Sequence, residues 1–537
     1  MTSRPPRLSR KLASKTTNSG ASPGVISLID ASNSAGLFFG AACGTILLVF
    51  FAPALQAVTP VLVVVGIFAV NAAWLLAILR LNSRGARREP FAIPDDSGAD
   101  FFARTFRRVL SSRLTWPMIA FVVLCAFVFA PLYFSDDSWR HIHDGVYLLR
   151  GVDVYSVAPD QLPPIFERRP NHPHLPTIYL PITQIQAVVG AWLHPRYGFL
   201  AVYYAICFAL LLAIHSELRA AECTVFAALC VSPAFLIALA SRHADVQGVL
   251  FAVAALTLLR RRKSGRFFPG RYSHARFFVR PWRSFVAGVC LAAAAGLKPE
   301  GLVWAAAVAF ALGTGVFAGR TRGAARLFVL LRLIVFVFGG LACGAVQIIF
   351  AREVLFPSDA SWTGFLNTVR LFSDWFVAYN PVIEIREWLY PNVPRPTLIL
   401  AYRTEVLMLA LLWFFLPLGV GAMRRPVRAR FLPAGLRGLE HGVASRLLLV
   451  GLAALIFSKG VWHPWYFLWL VLALWITGRR TVAAGLLGAL PLFYLPVVYL
   501  RATGDWWMPI FYASIVIYFI GFAVSAGGRT AARSNRG

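Results

Sequence analysis

The stretch Ser135-Asp136-Asp137-Ser138-Trp139-Arg140-His141-Ile142-His143-Asp144-Gly145 begins where the apolar run Trp116–Phe134 ends. If it is helical, Asp136, Arg140 and Asp144 fall at i, i+4 and i+8 on one face. A carboxylate with a guanidinium beside it can act as a general base. The cation keeps it ionised and oriented, and it accepts a proton from a hydroxyl. The same spacing also fits an acidic helix cap closed by a salt bridge, and on these residues alone the two readings stand level.

Three further polar interruptions carry chemistry. In Ser241-Arg242-His243-Ala244-Asp245, His243 and Asp245 could ligate a divalent metal or face a phosphate. The other reading is a short polar turn, with Asp245 capping the next helix; the functional one is preferred. One His and one Asp do not make a metal site, so a divalent metal is left open and no cofactor is assigned. In Leu297-Lys298-Pro299-Glu300-Gly301, Lys298 could clamp a phosphate, with Arg242 an equal candidate for that role. A lysine there could also simply extend to a membrane interface. In Trp462-His463-Pro464-Trp465-Tyr466, His463 and a stacking Trp465 could face a sugar or phosphate. Aromatic residues at that kind of position are otherwise interfacial belt residues.

The elements that must position these groups are apolar. The chain has 537 residues, 58% of them hydrophobic, and a mean hydropathy of +0.67. Runs with almost no charge recur from residue 35 to residue 525, and about 20 such residues cross a hydrocarbon core roughly 30 Å thick. Spans are expected at Ala35–Val58, Pro60–Leu81, Trp116–Phe134, Phe199–His215, Cys223–Ala240, Val246–Leu259, Phe285–Leu297 and Leu302–Phe317. The rest are Leu327–Phe350, Leu398–Met423, Leu447–Ser458, Tyr466–Ile476, Val482–Leu500 and Met508–Ser525. Ile178–Leu193, interrupted by Pro181, Gln184, Gln186 and Gly190, reads as re-entrant or interfacial. The expected fold class is an all-α integral membrane protein, a multi-pass bundle of about 12–14 transmembrane helices with a long first outer loop.

The net charge of +29 would suggest nucleic acid in a soluble chain. Here the basic residues lie between apolar runs and no nucleic-acid-binding motif occurs, so anionic headgroups and the positive-inside bias account for them. With the N-terminus inside, the Arg-rich connections 80–113, 260–283, 320–326, 424–446, 479–480 and 529–536 all fall on the cytoplasmic side. Segments 135–198, 241–245, 298–301, 351–397, 459–465 and 501–507 then fall outside, provided that 285–317 and 447–476 are each a hairpin of two short helices. The polar groups Asp136, Asp137, His243, Asp245, Lys298, Glu300 and His463 thereby gather on one side. Ionisable groups near apolar spans are costly and usually line a functional cavity. Residues 1–34 read as a disordered basic tail, 35–525 as one transmembrane domain and 526–537 as a second basic tail. No cleavage site follows the first apolar run, which reads as a retained helix. The seven cysteines lie in or at the edge of apolar runs and read as buried thiols.

Beyond the first cluster come Gly151-Val-Asp-Val-Tyr155 and Asn171-His-Pro-His-Leu-Pro-Thr-Ile-Tyr-Leu-Pro-Ile-Thr-Gln184. With these, the chain resembles the bacterial polyprenyl-phosphate-sugar-dependent glycosyltransferases of the GT-C superfamily. It is most similar to the group of polyprenol-phosphate-mannose mannosyltransferases. Their pattern reads D-D-x-x-R-Y-x-x-D-G, then G-x-N-P-Y, then N-H-x-x-x-x-T-I-Y-P-P-x-x-Q. The match runs through Asp136, Asp137, Arg140, Asp144, Gly145, Gly151, Tyr155, Asn171, His172, Thr177, Ile178, Tyr179, Pro181 and Gln184. The chain departs from it at His141, Asp153-Val154 and Leu180.

The resemblance implies a bundle of GT-C type and a specific reaction. A membrane-surface Asp of the first outer loop takes the proton of an acceptor hydroxyl, which attacks the anomeric carbon of a sugar on polyprenyl phosphate with inversion. Asp137 is preferred as the base because Arg140 lies three residues on, and Asp136 is second. Arg140, Asp144, His172, Tyr179, Gln184, Arg242, His243, Asp245, Lys298 and His463 are the expected substrate-binding residues. The expected partners are a polyprenyl-phosphate sugar donor, a glycolipid or cell-envelope glycan acceptor, and membrane lipids. Mannose is the favoured sugar, and the expected location is the bacterial inner (plasma) membrane with the site facing the periplasmic or extracellular side. The alternative is a non-catalytic transporter of lipid-linked saccharides or a membrane scaffold. A transporter should carry polar groups at mid-membrane on broken helices, whereas here they cluster at one face.

Overall fold

The structure is a computed structural model. It describes residues 37, 40–55, 60–85, 115–130, 135, 137–167, 170–218, 226–227, 229–259, 275–317, 324–375, 380–415, 443–459, 462–495 and 498. Asp136, both terminal tails and the expected span Met508–Ser525 lie outside the described residues.

Every regular element among the described residues is helical. In chain order these include α1 (Gly40–Leu55), α2 (Pro60–Gly85), α3 (Thr115–Val128), α4 (Asp137–Leu149), α5 (Pro181–Leu193) and α6 (Gly198–Glu217). Then follow α7 (Pro233–Ala240), α8 (Ala244–Leu259), α9 (Ala275–Leu297), α10 (Glu300–Phe317), α11 (Ala324–Phe350) and α12 (Asp359–Trp375). Last are α13 (Pro381–Leu389), α14 (Arg395–Phe415), α15 (Val443–Phe457), α16 (Pro464–Ile476) and α17 (Arg480–Ala489). Prolines set several of the starts. Pro181, Pro233, Pro381 and Pro464 sit at the opening position of α5, α7, α13 and α16. A missing N–H costs nothing there, and the fixed φ is already helical.

Gly198–Glu217, Val329–Leu355 and Arg395–Phe415 are long and apolar enough to cross a bilayer. A fourth span results if α7 and α8 are counted together across their 119° bend. The flank of α11 bears this out, because Leu341, Ile348 and Ile349 are each more than 60% exposed. Such a contiguous apolar surface suits lipid and not water.

Around α9 the bundle is dense: it packs on α8, α10 and α11, while α16 joins α8 to α15 and α17. The segment 135–198 is built on the pair α4 and α5, and α5 in turn rests on α6. Gly145 allows α4 and α5 to approach, since a Cβ there would fall 2.2 Å from the carbonyl oxygen of Ala187. The segments 285–317 and 447–476 each resolve into two helices with a polar break, at Lys298-Pro299 and before Pro464.

Several expected boundaries change for local reasons. Cys223–Ala240 is not one continuous helix. The Ser232 hydroxyl accepts from the Phe235 amide, and Pro233 opens a new helix behind it. Val482–Leu500 changes character at Pro491, where α17 passes into a 3-10 turn over Leu490–Tyr494. The span expected from Phe285 begins at Ala275 and carries Pro281 within it. Residues 178–193 hold a 13-residue helix with Gln184 and Gln186 buried, packed on α4, and not a lone surface segment. The expected outer loop 351–397 is largely α12 and α13. The described cysteines are free thiols, and Cys125 is exposed.

The helix expected over Trp116–Phe134 ends at Val128 because a cation closes it. One guanidinium nitrogen of Arg242 donates to the carbonyls of Phe127 (2.7 Å), Val128 (3.2 Å) and Ala130 (3.0 Å). Arg242 is 2% exposed and its backbone lies in the left-handed region at φ 58°. A positive charge at a helix C-terminus also favours the macrodipole. The substitution Arg242→Met should cost about 2–4 kcal/mol of stability, read as a lower melting temperature in detergent.

Candidate functional site

Four turns meet at one end of the bundle. They are the start of α4 and the breaks before α8, α10 and α16. Asp137, Asp245 and Glu300 each lie in the first turn of a helix, where exposed N–H groups and the positive dipole end favour a carboxylate.

Asp137 is the most accessible of the three, its side chain 27% exposed. One carboxylate oxygen accepts from the Asn171 amide at 2.5 Å, and the other lies 3.6 Å from His243 Nδ1. His243 is fixed on its other sides. Its carbonyl accepts from the Tyr203 hydroxyl at 2.9 Å, and its ring stacks on Trp465 with centroids 3.5 Å apart. His463 also stacks on Trp465, at 4.3 Å. Nε2 of His243 is buried without a hydrogen-bond partner among the described residues.

Asp245 is fully buried and accepts from the Trp469 indole at 2.9 Å, while its second oxygen lies 3.6 Å from Lys298 Nζ. Lys298 also stands 5.9 Å from the Tyr179 ring and 5.6 Å from the Tyr466 ring. Burial pulls its pKa down, but Asp245, Tyr466, Glu300 and Asp137 outweigh that and raise it, so Lys298 is a cation. Beside it, Lys459 pairs with the buried Glu300 and lies 3.7 Å from the Tyr466 ring centre.

Arg140 and Asp144 do the work of a frame. Nε of Arg140 bonds Asp144 at 3.0 Å, and its terminal nitrogens bond the carbonyls of His172 (3.3 Å) and Leu175 (2.8 Å). Gln184 donates to Asp144 at 3.0 Å and to Thr177 at 3.2 Å. This network folds 171–177 back over α4 and so delivers Asn171 to Asp137. The expected direct role of Arg140 as orienting partner of the base is thus replaced by an indirect one, through the loop. His172, with φ 45°, sits at the turn of that loop. The Tyr155 hydroxyl donates to the Tyr179 carbonyl, which fixes Tyr179 at the edge of the site. Tyr179 stays protonated, its phenol pushed well above the ordinary range by burial and then by Asp137.

Of the expected residues, Asp137, Tyr179, His243, Asp245, Lys298 and His463 come together, while Arg140, Asp144, Gln184 and His172 support them from behind. Arg242 points away and caps α3, in place of the expected phosphate contact. Asn171, Trp465, Tyr466, Trp469, Glu300 and Lys459 complete the cluster. Lys459 carried a signal in the sequence, being a lone cation at the end of the apolar run Leu447–Ser458 and in the same class of turn as Glu300. Among the described residues no group of three or more His, Cys, Asp or Glu side chains is placed to hold a metal ion.

A cleft of about 540 Å³ opens on the far side of Tyr179. Tyr155, Tyr179, Ile348, Phe356, Trp362 and Phe365 line it. It runs between the segment 155–181, α12 and the apolar flank of α11. Two contacts hold α12 there. Ser361 donates to Asp153 at 2.6 Å, and Gly364 lies so close that a Cβ would meet the Tyr155 carbonyl oxygen at 2.2 Å.

Burial and the nearby Lys298 push the pKa of His141 and His463 down to about 3. Both are neutral in the folded protein at pH 7, whereas in the unfolded chain they titrate near about 6.5. As pH falls from 6.5 toward 3 the unfolded chain binds more protons, so stability falls over that window. The melting temperature should drop between pH 7.5 and pH 5, and His463→Gln should drop less than wild type. No protein-family model, curated protein or solved structure matches the chain.

Proposed function

We propose that this protein is an inverting glycosyltransferase of the GT-C type. It transfers a sugar, with mannose favoured, from a polyprenyl-phosphate donor to a glycolipid or cell-envelope glycan. The reaction takes place at the non-cytoplasmic face of a bacterial inner membrane crossed many times by the chain. The observation that carries this reading is the pairing of a held, partly exposed carboxylate with a cation. Asp137 accepts from Asn171 and has His243 Nδ1 at 3.6 Å, and Lys298 lies near enough that Asp137 helps to keep it charged.

The chemistry follows from those two groups. The acceptor O–H gives its proton to Asp137 while its oxygen bonds the anomeric carbon. The bond from that carbon to the phosphate oxygen breaks, and its electron pair leaves on the phosphate, where Lys298 meets the growing charge. The exposed edge of Asp137 returns the proton to water. Neutral His243 stands beside Asp137 without competing for the proton. Stacked Trp465 and the neutral His463 offer a flat surface and polar edge of the kind that sugars use. The cleft beside Tyr179 suits the donor's isoprenoid chain, because it joins the charged site to an apolar, lipid-suited helix flank. A transporter reading is less favoured, since the polar side chains gather at helix ends and not along one helix at mid-length.

In liposomes supplied with polyprenyl-phosphate radiolabelled mannose and a membrane-lipid extract, wild type should label a lipid or glycan product. Asp137→Asn should lose roughly 10²- to 10⁴-fold in rate while keeping its melting temperature. Full transfer by Asp137→Asn would contradict the assignment, and a loss confined to Asp136→Asn would move the base by one residue.

A further inference from the structure

Residues 356–394 join two of the bilayer-long helices, Val329–Leu355 and Arg395–Phe415, and carry α12 and α13. A π turn over Ala351–Leu355 ends the first span, and residues 356–358 lead straight into α12. So short a link reaches at most about 14 Å, so α12 starts close to the depth at which the span stops. Residues 390–394 likewise lead from α13 into α14.

On α12, Ser361 and Thr368 are buried and Gly364 lies against the Tyr155 carbonyl, so these three mark the side that faces the protein. Trp362, Leu366 and Val369, at i, i+4 and i+7, form an exposed apolar stripe. Thr363, Asn367 and Arg370 repeat that spacing one residue on and form an exposed polar stripe beside it. Leu371 is exposed outside the apolar stripe. A helix packed on a protein in water needs a buried side and a polar side, and an exposed apolar third side marks a further contact. On α13 the charges turn toward α14: Arg386 pairs with Glu405, Glu387 pairs with Arg395, and Ile383 clusters with Ile399 and Tyr402. Ile385, Trp388 and Leu389, at i, i+3 and i+4, stand exposed instead, Trp388 by 81%. This surface continues that of α11, where Ile348 and Ile349 are exposed just before the π turn. Ile348 and Trp362 both line the cleft beside Tyr179, so its rim joins the α11 flank to the α12 stripe.

We infer that α12 and α13 are interfacial helices that seat Trp362, Leu366, Val369, Ile385, Trp388 and Leu389 in the phospholipid leaflet at that end of the bundle. The occupant of both faces is the layer where acyl chains meet glycerol and headgroups. An edge of Trp and aliphatic side chains beside an edge turned to water is the pattern that this layer selects. Lipid that covers Ile348 and Ile349 reaches Trp362 without a gap, which favours a leaflet over a second copy of the chain. Arg370, beside Leu366 on the helix surface, is placed to extend to lipid phosphates. The leaflet on one side and the Ser361–Asp153 bond on the other then hold α12. Because Trp362 and Phe365 form a wall of the cleft, the bilayer takes part in shaping that wall. The inference goes beyond the transferase reading and does not depend on it.

The test uses full-length protein in nanodiscs of phosphatidylethanolamine and phosphatidylglycerol. A genetically encoded diazirine side chain replaces Leu366, Trp388, Asn367 or, as the lipid-facing reference on α11, Leu341, one at a time. Variants that melt as wild type does are irradiated and their adducts identified by mass spectrometry, with Val369 standing in for Leu366 if that variant fails to fold. Phospholipid adducts at 366 and 388 should match those at 341 and exceed those at 367 roughly fivefold. Lipid adducts at 341 without any at 366 and 388 would overturn the inference. So would equal labelling of 366 and 367, since the helix would then present no apolar edge to lipid. Crosslinked dimers at 366 or 388 in place of lipid adducts would also overturn it and give the face to a second copy.

Discussion

Carboxylates in an apolar helical bundle need partners, and the way they are partnered organises this end of the molecule. Asp137 is held by Asn171 and His243, Asp144 by Arg140 and Gln184, Asp245 by Trp469 and Lys298, and Glu300 by Lys459. Most of these pairs tie segments tens to hundreds of residues apart. Three of the acids sit in a helix's first turn, so the backbone itself stabilises their charge before any side chain does. A helical hairpin that ends elsewhere would lose both the dipole and the partner. The charge pairs therefore fix which helix ends converge, and the apolar surfaces fill the volume behind them.

The division of labour inside the cluster follows from burial. Asp144 and Arg140 are almost wholly enclosed and satisfied by one another and by backbone carbonyls, so they serve shape. Asp137 is accessible, accepts from Asn171 at one oxygen and has the His243 ring edge near the other, so it has a set direction and a route for a proton. Lys298 stands 3.6 Å from Asp245 and keeps part of its side chain accessible. Arg242, the strongest cation near the site in sequence, is buried on α3's last carbonyls and acts by ending that helix. Charge type alone does not separate these roles. Access and the direction of each donor do.

Much of this was legible in the sequence. The apolar runs gave the helices, and polar interruptions at 135–145, 241–245, 298–301 and 462–466 gave the turns that meet. Asp137, His243, Asp245, Lys298 and His463 stood out because ionisable groups in apolar sequence are expensive and so are rarely idle. What could not be read was pairing across distance. Nothing local says that Trp469 reaches Asp245, that Lys459 reaches Glu300, or that Asn171 rather than Arg140 bonds Asp137. Hydropathy also passed over Ser232-Pro233 and Pro491, where a missing N–H breaks the helix without lowering the apolar content. Arg242 misled for a related reason, since a capping cation and a ligand-binding cation look alike until the carbonyls that it faces are known.

In the proposed reaction one carboxylate activates an acceptor hydroxyl for a single displacement at the sugar's anomeric carbon. The most direct measurement is the anomeric configuration of the product by NMR, after transfer from a lipid-phosphate donor of known configuration. The account predicts complete inversion. Retention of configuration would mean a double displacement or a front-face route, with Asp137 not acting as base in a single displacement, and would contradict it.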